Sequence, residues 1–585
     1  MKDMKTIFLN KIKTLIAVAI LITTFSCKDF LTKPPLTDFT DDNFWTAEAN
    51  VRTFAWGLYN TYYGYGRGGG QFGEFYWQQE GNQSYEMKYT EDLLNSTFLG
   101  FPGGATTSNS MWQRYYTDIR KANLMLARIP DVEMSEEAKN HWTGVAKFFR
   151  ANSYFALLSS WGGVPLILEY NSPDDLDNIY LPRSSRQDVA NQIIKDLEDA
   201  AGLLRSNDGE CAVNQYCAYA LLARVALFEG TFVKYHNSSS DANAYLKIAE
   251  EAAGAVIHSG KYALVSNGYK DKYNSDNLAG NSEMILYKHY EKNVMTHTVQ
   301  AYTHCSAPAL HGPTKYAVES FVCTDGLPIG QSPLYQGDKG IENVRAHRDG
   351  RLQDIMFDQL GYYGVPYQDL LVSSTGYVTS IFDNPAKNIK DPDVTMDARN
   401  YIDAPIYTLS EMYLIYAEAK AEMNTLTQTD MDATINLLRS RAGVAPLELR
   451  GSEIAASGIV IDDPTRTSAL ETITQGGIVN PVVWEIRRER RAELIGWVHL
   501  RHMDLDRWAK GEYMSTTLNP DVMLGAWIGS VPEGSTIKIN PDGYINFFPG
   551  NSRTFEDKYY LDPIPLDEII LYENKGKELA QNPGW

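Results

Sequence analysis

Residues 407–422 read YTLSEMYLIYAEAKAE, and this stretch decides the fold class. Leu409, Met412, Tyr413 and Tyr416 recur at the spacing of three and four residues that places side chains on one face of a helix. The alanines that follow have the highest helix propensity of any residue type. The stretch therefore predicts an amphipathic helix.

Three further segments show the same periodicity, and they begin near Ser135, Ala218 and Tyr245. The first opens on a serine followed by two glutamates, a typical helix start, because serine caps free N–H groups and acids favour the N-terminus. The last ends at Gly260, and glycine commonly terminates helices. Amphipathic helices rich in Ala and Tyr and joined by short turns resemble tetratricopeptide-type hairpins, although no strict repeat of about 34 residues is present.

Long stretches rich in Gly, Tyr, Asn and Pro separate these helical blocks, chiefly about 62–110, 261–400 and 510–560. Compact domains rarely carry irregular loops of this length unless the loops have a function. We therefore predict a mostly α fold, in which tetratricopeptide-like helical hairpins pack against a large irregular loop-rich region with few short strands. We expect the functional residues in the irregular region.

The composition limits the partners. Among 585 residues, 73 acids face 53 Lys and Arg, which gives a formal net charge of −20. A surface so negative repels a phosphate backbone, which argues against a nucleic-acid partner. Tyrosine is frequent, with 37 copies beside 21 Phe and 11 Trp. Tyr and Trp combine an apolar face with a polar group, which suits the binding of polar, ring-shaped ligands.

The N-terminus has the layout of a secretory signal. Lysines precede an apolar run of about a dozen residues, and Ser26 and Cys27 follow it. A cysteine directly after a small residue resembles a lipobox, so we predict that residues 1–26 are a lipoprotein signal peptide and that Cys27 is lipidated. Ordinary secretion with a coincidental cysteine is the alternative.

The mature chain then divides into three parts. Residues 27–40 contain Pro34 and Pro35 and are predicted to form an extended, lipidated tether. Residues 41–260 form the predicted N-terminal region, with helical hairpins and an aromatic loop. Residues 261–585 form the predicted C-terminal region, with loop insertions and late helices.

Five groups of motifs occur in order along the mature chain. They are Cys27–Leu31 with Phe44-Trp45; Trp112–Asn123 with Phe148–Ala151, Tyr154-Phe155 and Trp161–Leu166; Tyr407–Glu422; Glu489–Leu494 with Arg501 to Trp508; and Leu561–Pro565 with Gln581–Trp585. Together they resemble the SusD/RagB family of outer-membrane glycan-binding lipoproteins, which work with a TonB-dependent porter. The resemblance implies a helical fold with tetratricopeptide-like hairpins and a glycan site built from loops.

Between residues 54 and 89 one residue in three is aromatic, with glycines and amides between the rings. Sugars stack on aromatic rings while amides bond their hydroxyl groups. From Phe54 to Tyr59 the aromatics are better explained as the core face of a helix, whereas core and site remain open for Tyr76, Trp77 and Tyr85. The resemblance favours 76–101 and implies a second site segment in the middle of the chain, with Tyr287, Tyr290, Tyr302 and Tyr335 as candidates. The predicted ligand-binding residues are Tyr76, Trp77, Gln79, Asn82, Tyr85, Phe101, Tyr290 and Tyr302.

No motif for catalysis or metal binding stands out. His297, His304 and His311 recur every seven residues, but no HExxH motif and no acid at a fitting offset accompany them. We interpret them as structural histidines. No catalytic residue, metal or cofactor is predicted.

Two further features have a structural interpretation. The basic run Arg487–Arg491 alternates with Glu485 and Glu493, which is typical of an ion-pair network that fixes a helix rather than of a nucleic-acid patch. Four cysteines remain after Cys27, and the sequence leaves their pairing open. They are Cys211, Cys217, Cys305 and Cys323.

The residues and the resemblance together predict a non-catalytic lipoprotein at the surface of the outer membrane. It would bind an oligosaccharide or other nutrient and deliver it to a TonB-dependent SusC-like porter. Two alternatives remain open. One is a surface glycoside hydrolase that uses two carboxylates, and the other is a tetratricopeptide-like adaptor that binds only its partner protein.

Overall fold

The computed structural model describes residues 44–62, 64–67, 71–72, 90–95, 97–98, 100–237, 240–265, 268–304, 311–362, 372–533 and 535–585. Twenty α-helices lie in this part of the chain. They are α1 Glu48–Trp56, α2 Ser110–Arg128, α3 Glu136–Trp161, α4 Leu176–Ile179, α5 Arg186–Leu203, α6 Gln215–Tyr235, α7 Ala242–Ile257, α8 Asp271–Asn274, α9 Val299–His304, α10 Lys315–Glu319, α11 Ile341–Arg345, α12 Gly350–Ile355, α13 Pro392–Thr395, α14 Leu409–Glu422, α15 Gln428–Ala433, α16 Ile435–Arg441, α17 Ala469–Ile473, α18 Pro481–Leu494, α19 Val498–Arg507 and α20 Leu566–Glu573.

The described strands are short and all pair antiparallel. They are β1 Gly66–Arg67, β2 Gln71–Phe72, β3 Leu93–Asn95, β4 Met284–Lys288, β5 His311–Pro313, β6 Met356–Leu360, β7 Tyr377–Thr379, β8 Ala404–Thr408, β9 Leu447–Arg450, β10 Glu453–Ala456, β11 Ile459–Val460, β12 Leu524–Trp527 and β13 Tyr544–Asn546. The pairs are β1–β2, β3–β5, β4–β8, β6–β7 and β12–β13, and β9, β10 and β11 form a three-stranded sheet. The predicted mostly α fold with few short strands is confirmed.

The long helices form one array, in which each packs against the next in the order α2, α3, α5, α6, α7, α14 and α18. The four periodic segments of the sequence are α3, α6, α7 and α14. The hydroxyl of Ser135 accepts a hydrogen bond from the Ala138 N–H at 3.1 Å, so the predicted cap of α3 is present. Asn214 caps α6 in the same way, accepting from the Tyr216 N–H at 2.9 Å.

Helix α6 lies at the centre of the array. It is the one described helix long and apolar enough to cross a membrane, yet 89% of its apolar window is buried inside the fold. Gly230 lets α7 approach closely, because a Cβ there would lie 3.0 Å from Leu246 Cγ. Its three charged side chains are paired with neighbouring elements, Arg224 with Glu411 at 2.7 Å, Glu229 with Arg186 at 2.7 Å and Lys234 with Glu422 at 2.8 Å.

The core face predicted for residues 54–59 is only partly present. Leu58 is buried on this face and Phe54 packs against the main apolar cluster, but Trp56 on α1 is 61% exposed. The reason is helical geometry, because residues two apart do not share a face. The main apolar cluster also extends from Val51 to Leu579, so the two regions of the chain share one core.

The described cysteines are free thiols. Cys217 and Cys323 are buried and Cys211 is half-buried, while Cys305 lies outside the described residues. Burial is the main cause that raises the pKa of Cys211 to about 11 and that of Cys217 to about 12. These thiols are therefore protonated near neutral pH.

Helices α18 and α19 carry most of the late basic motif, and their arginines are buried in ion pairs with other elements. Arg507 binds both oxygens of Glu418 on α14 at 2.6 and 2.8 Å. Arg490 binds Asp504 at 2.8 Å, which joins α18 to α19. The predicted ion pairs within one helix are thus largely replaced by ion pairs between elements. Within α18, Arg488 pairs with Glu485 at 3.1 Å, as predicted.

We expect Arg507→Met to lower the free energy of unfolding by about 3–5 kcal/mol, because Glu418 would stay buried without its bidentate partner. Urea unfolding measures this change. Arg450→Met is the matched control, since Arg450 and Glu448 are paired at the exposed surface and such pairs contribute roughly 0–1 kcal/mol. Equal losses in the two variants would contradict the prediction.

The same pair sets a pH dependence. Burial alone would raise the pKa of Glu418, but the charge of Arg507 and its hydrogen bonds outweigh burial and lower it to about 2 from an ordinary 4.5. A carboxyl with a lowered pKa stabilises the fold above its ordinary pKa and loses that contribution as pH falls towards the folded value. The stability of the wild type should therefore fall between pH 4.5 and 2, and more steeply than that of Arg507→Met.

Candidate functional site

Strands β3 and β5 are the described strands next to the predicted ligand-binding segments. Strand β3 pairs with β5, and Leu94 lies opposite Gly312. The loop that holds Tyr76, Trp77, Gln79, Asn82 and Tyr85 precedes β3, and all five residues lie outside the described part of the chain. Residues 305–310, which precede β5, lie outside it too.

A third segment, residues 373–375, packs onto the ladder of β3 and β5. A Cβ at Gly312 would lie 1.9 Å from the Ser373 hydroxyl and 2.3 Å from that of Thr375, so only glycine allows this approach. Ser374 donates a hydrogen bond to the Leu94 carbonyl at 2.5 Å. Residues 363–371, just before this segment, lie outside the described residues. The described segments that begin at residues 90, 311 and 372 each follow an undescribed stretch of the chain, and these three segments meet in one layer.

The hairpin of β12 and β13 completes this layer. The Ala526 N–H donates to the Thr375 carbonyl at 2.7 Å. Beyond this contact, Trp527 and Tyr544 are cross-strand partners, and both rings are half-buried. We call these two residues the aromatic pair.

Two glycines and a backbone carbonyl fix the ring of Trp527. Its indole N–H donates to the Asp542 carbonyl at 3.0 Å. Gly529 and Gly543 both have positive φ, and a Cβ at either would lie 2.9 Å from the indole. The ring is thus held in place by backbone, which favours a rigid stacking surface.

Polar groups surround the aromatic pair. The Tyr544 hydroxyl donates to Asp338, and burial together with this bond raises the pKa of the phenol. The Lys315 ammonium lies 5.4 Å from the Tyr544 ring centre, and that of Lys339 lies 5.7 Å from the Trp527 ring. Half-buried rings with a few fixed polar groups are the composition of sites for polar, ring-shaped ligands.

The structure separates the three other predicted site residues. Tyr290 is 1% exposed, and its hydroxyl accepts from the Tyr65 N–H at 3.0 Å and donates to the Gly66 carbonyl at 2.7 Å. It is a core tyrosine and offers no ring face to a ligand. Phe101 is half-buried and stacks on Tyr559 at 4.7 Å, near the C-terminus. Tyr302 lies on α9, and its side chain is outside the described part of the chain.

The two remaining tyrosine candidates also have partners. Tyr287 is buried and its hydroxyl donates to Glu210 at 2.5 Å. Tyr335 is half-buried, and the Arg348 guanidinium lies 5.5 Å from its ring centre. Neither belongs to the aromatic pair. The sequence does contain a signal for the aromatic pair, because the turn Asn540–Gly543 directly precedes Tyr544. The partner ring, Trp527, lies 17 positions before Tyr544, so the turn alone does not reveal the pair.

The described residues contain no group of three or more His, Cys, Asp or Glu side chains placed to hold a metal ion. His297 and His311 are buried, and burial lowers the pKa of each imidazole to about 3. The Nε2–H of His297 donates a hydrogen bond to the Ile402 carbonyl, 3.0 Å away, as a core histidine does. His304 lies on α9.

Buried arginines hold the segment that precedes β3. We call this segment, Thr90–Asp92, the stem. Arg501 donates to Glu91 at 2.9 Å and Arg491 donates to Asp92 at 2.8 Å. Burial raises the pKa of Asp92, with Glu91 adding to this, whereas at Glu91 the charges of both arginines outweigh burial and lower the pKa. The late basic motif thus anchors the described end of the predicted ligand loop.

We expect Arg491→Met to loosen the stem, because the buried Asp92 would lose its hydrogen-bonded partner and keep only Arg501, 3.8 Å away. Loss of a buried ion-pair partner costs up to about 3–5 kcal/mol. Hydrogen exchange over residues 90–95 and 311–314 should become faster. Arg466→Met is the control, since Arg466 donates to the Val479 carbonyl instead of a carboxylate. Equal protection of these peptides in both variants would disprove the anchoring role.

Comparison with known proteins agrees with this architecture. The protein-family model described as "SusD family" matches residues 267–585, and the family model described as "Starch-binding associating with outer membrane" matches residues 2–227. A SusD-like protein of Bacteroides ovatus is 23% identical over 609 residues, covering 98% of this chain and 97% of its own. SusD-like protein P38 of Formosa agariphila is 25% identical over 256 residues, covering 43% and 47%.

Solved structures share the fold. A SusD-like carbohydrate binding protein of Bacteroides fragilis has a TM-score of 0.66 at 20% identity, over 90% of this chain and 98% of its own. A laminarin binding SusD-like protein has a TM-score of 0.59 at 19% identity, over 92% and 100%. The chain belongs to the SusD family, and the resemblance found in the sequence is confirmed.

Proposed function

We propose that this protein is a non-catalytic lipoprotein of the outer-membrane surface that binds an oligosaccharide and delivers it to a TonB-dependent SusC-like porter. The observation that carries the proposal is the aromatic pair, Trp527 and Tyr544, in the layer that the predicted ligand loop enters. Family membership supports it, because a matching model is described as starch-binding and outer-membrane-associated and one similar structure as laminarin binding. No cofactor is required for this function.

The proposed site combines two sets of residues. Trp527 and Tyr544 would supply one stacking surface on the hairpin. Tyr76, Trp77, Gln79, Asn82 and Tyr85 would supply rings and amides from the loop before β3. Phe101 and Tyr302 stay in the proposal as flanking residues, whereas the buried Tyr290 would act only by supporting the core.

The charges near the aromatic pair favour binding over hydrolysis. A glycoside hydrolase needs two carboxyl groups that flank the scissile bond, one as an acid and one as a base or nucleophile. Asp338 accepts from the Tyr544 hydroxyl, and the nearby Glu319 and Asp521 both bind the Lys315 ammonium, at 2.8 and 3.2 Å. A shared cation holds this pair in an ion triad instead of leaving it open to a substrate.

We expect Trp527→Ala to weaken the binding of a recognised glycan by roughly 1–3 kcal/mol, the loss typical of one aromatic stacking contact. Affinity electrophoresis in laminarin and in starch, followed by calorimetry on the retarding glycan, measures this. Trp56→Ala is the matched control, because Trp56 is exposed on α1. Trp77→Ala should give a loss of the same size if the predicted loop contributes a second ring.

The outcomes separate the alternatives. Unchanged affinity in Trp527→Ala would remove the aromatic pair from the site. Shortening of the glycan during incubation would favour the hydrolase. Retention of porter binding by a protein that no glycan retards would favour the adaptor.

We expect Cys27→Ala to release the protein from the outer membrane, because Cys27 follows the predicted signal and is the proposed acylation site. A single acyl chain anchors only marginally, so stable attachment requires the multiply acylated form. Cell fractionation, in strains with and without the porter, measures the change. Unaltered outer-membrane fractionation of Cys27→Ala without the porter would disprove anchoring by the lipid.

A further inference from the structure

A cavity of about 290 Å³ lies between α10, α18 and the segments that contain Gly330 and Thr465. Gly330, Pro464 and Thr465 are exposed and form its mouth. Arg487 and Tyr513 line its floor and are buried. The volume lies at the small end of ligand pockets, which span roughly 300–1,000 Å³. It fits one ring-sized group.

The floor of the cavity offers hydrogen-bond donors that the protein does not use. Arg487 is 6% exposed, and its guanidinium lies between the rings of Tyr235 and Trp508, 4.7 and 4.4 Å from their centres. One of its terminal nitrogens donates to Glu422 at 2.9 Å. Neither its Nε, which is fully buried, nor its other terminal nitrogen has an acceptor among the described residues. An unpaired buried donor is costly, so a ligand acceptor here would be stabilising.

The three carboxylates that line the cavity, Glu319, Asp463 and Asp521, are already paired. Asp463 accepts from the Trp484 indole at 3.0 Å and pairs with Arg488. Glu319 and Asp521 share Lys315. A ligand would therefore meet free donors on the floor but few free acceptors.

One wall of the cavity is an aromatic ring available for stacking. Trp484 lines the cavity and is half-buried. Its indole N–H is fixed by Asp463. No other ring or cation stacks on it within the described part of the chain, in contrast to Trp508, which Arg487 covers. Its face can pack against the apolar face of a ring-shaped ligand.

The charged side chains around the cavity favour a neutral ligand over an anionic one. The five cations that line the cavity pair with six carboxylates: Glu91, Asp92, Glu422, Asp463, Glu471 and Glu485. Burial raises the pKa of both Glu471 and Glu485, as expected where carboxylates crowd together away from water. A further negative charge would be repelled. A neutral group with hydroxyl oxygens would accept from the free donors without adding charge.

We propose that this cavity binds one neutral, hydroxylated ring, a single sugar unit, with its apolar face on Trp484 and its hydroxyl oxygens towards Arg487. The inference rests on the proposed function, and it adds a subsite to it. The cavity adjoins the aromatic pair through Lys315, which binds Glu319 and Asp521 at the cavity edge and lies over the Tyr544 ring. The sugar unit is then an end or branch of the oligosaccharide on the aromatic pair.

A substitution at the mouth tests the cavity without breaking any ion pair. Among the described residues, a Cβ at Gly330 would meet nothing nearer than Pro464 Cγ at 3.9 Å, so Gly330→Phe can enter the mouth without strain. Gly103→Phe is the matched control, because no atom of the described part of the chain lies within 4 Å of a Cβ there. If Gly330→Phe lowers the melting temperature, Thr465→Phe replaces it, since Thr465 is also exposed at the mouth.

The probes are the methyl pyranosides of glucose, galactose and mannose, with glucuronate as the anionic counterpart. Tryptophan fluorescence and calorimetry measure binding to the full mature chain. We expect at least one neutral glycoside to bind, glucuronate to bind at least tenfold more weakly, and Gly330→Phe to weaken binding at least tenfold while Gly103→Phe leaves it unchanged. Failure of all three glycosides, tighter binding of glucuronate, or no effect of either mouth variant would overturn the proposal.

Failure of this inference is distinguishable from failure of the proposed function. Oligosaccharide binding that responds to Trp527→Ala, with no methyl glycoside bound, would overturn the cavity subsite alone. Methyl glycoside binding that Gly330→Phe abolishes, with no oligosaccharide bound, would support the cavity and overturn oligosaccharide delivery.

Discussion

The buried pairing of arginines with carboxylates around α18 and α19 is the interaction on which the rest of the structure depends. A guanidinium in the core needs acceptors, because an unpaired buried charge costs several kcal/mol, and around α18 and α19 carboxylates supply them. Arg507 therefore fixes α14 through Glu418, and Arg491 fixes the stem through Asp92. Each pair joins elements that are distant in sequence, so the packing of the helical array and the position of the irregular region are determined together.

These ion pairs fix the helices to the segment from which the irregular region begins. Beneath it, close backbone contacts hold the layer of β3, β5, β12 and β13, and a Cβ at Gly525 would lie only 2.0 Å from the Thr375 carbonyl. The aromatic pair belongs to the hairpin of this layer and not to the helical array. The division between a helical scaffold and loops that carry ligand groups is the usual one in binding proteins.

The helices could be predicted from the sequence because their apolar periodicity is local, and α3 begins where Ser135 and its following acids indicate. The charge pattern of α18 indicates the Arg488–Glu485 pair but not the pairs between elements, because Arg491 and Asp92 are 399 positions apart. Composition indicates tyrosine as the frequent ring but not which rings are buried, and the predicted ligand residue Tyr290 is 1% exposed with its hydroxyl hydrogen-bonded in the core. The sequence does not indicate Trp527, because its ring is held by Gly543 and by a partner strand 17 positions further along the chain.

Helix α6 has a consequence for the export that the proposed location requires. A chain that crosses the inner membrane unfolded must not present a segment that stops in the bilayer, and α6 has the length and much of the hydropathy of such a segment. Arg224 lies near its middle, where a charge disfavours insertion by roughly 2.5–3.5 kcal/mol. The arginine that pairs with Glu411 in the folded core would thus also disfavour arrest of the unfolded chain in the bilayer during the proposed export.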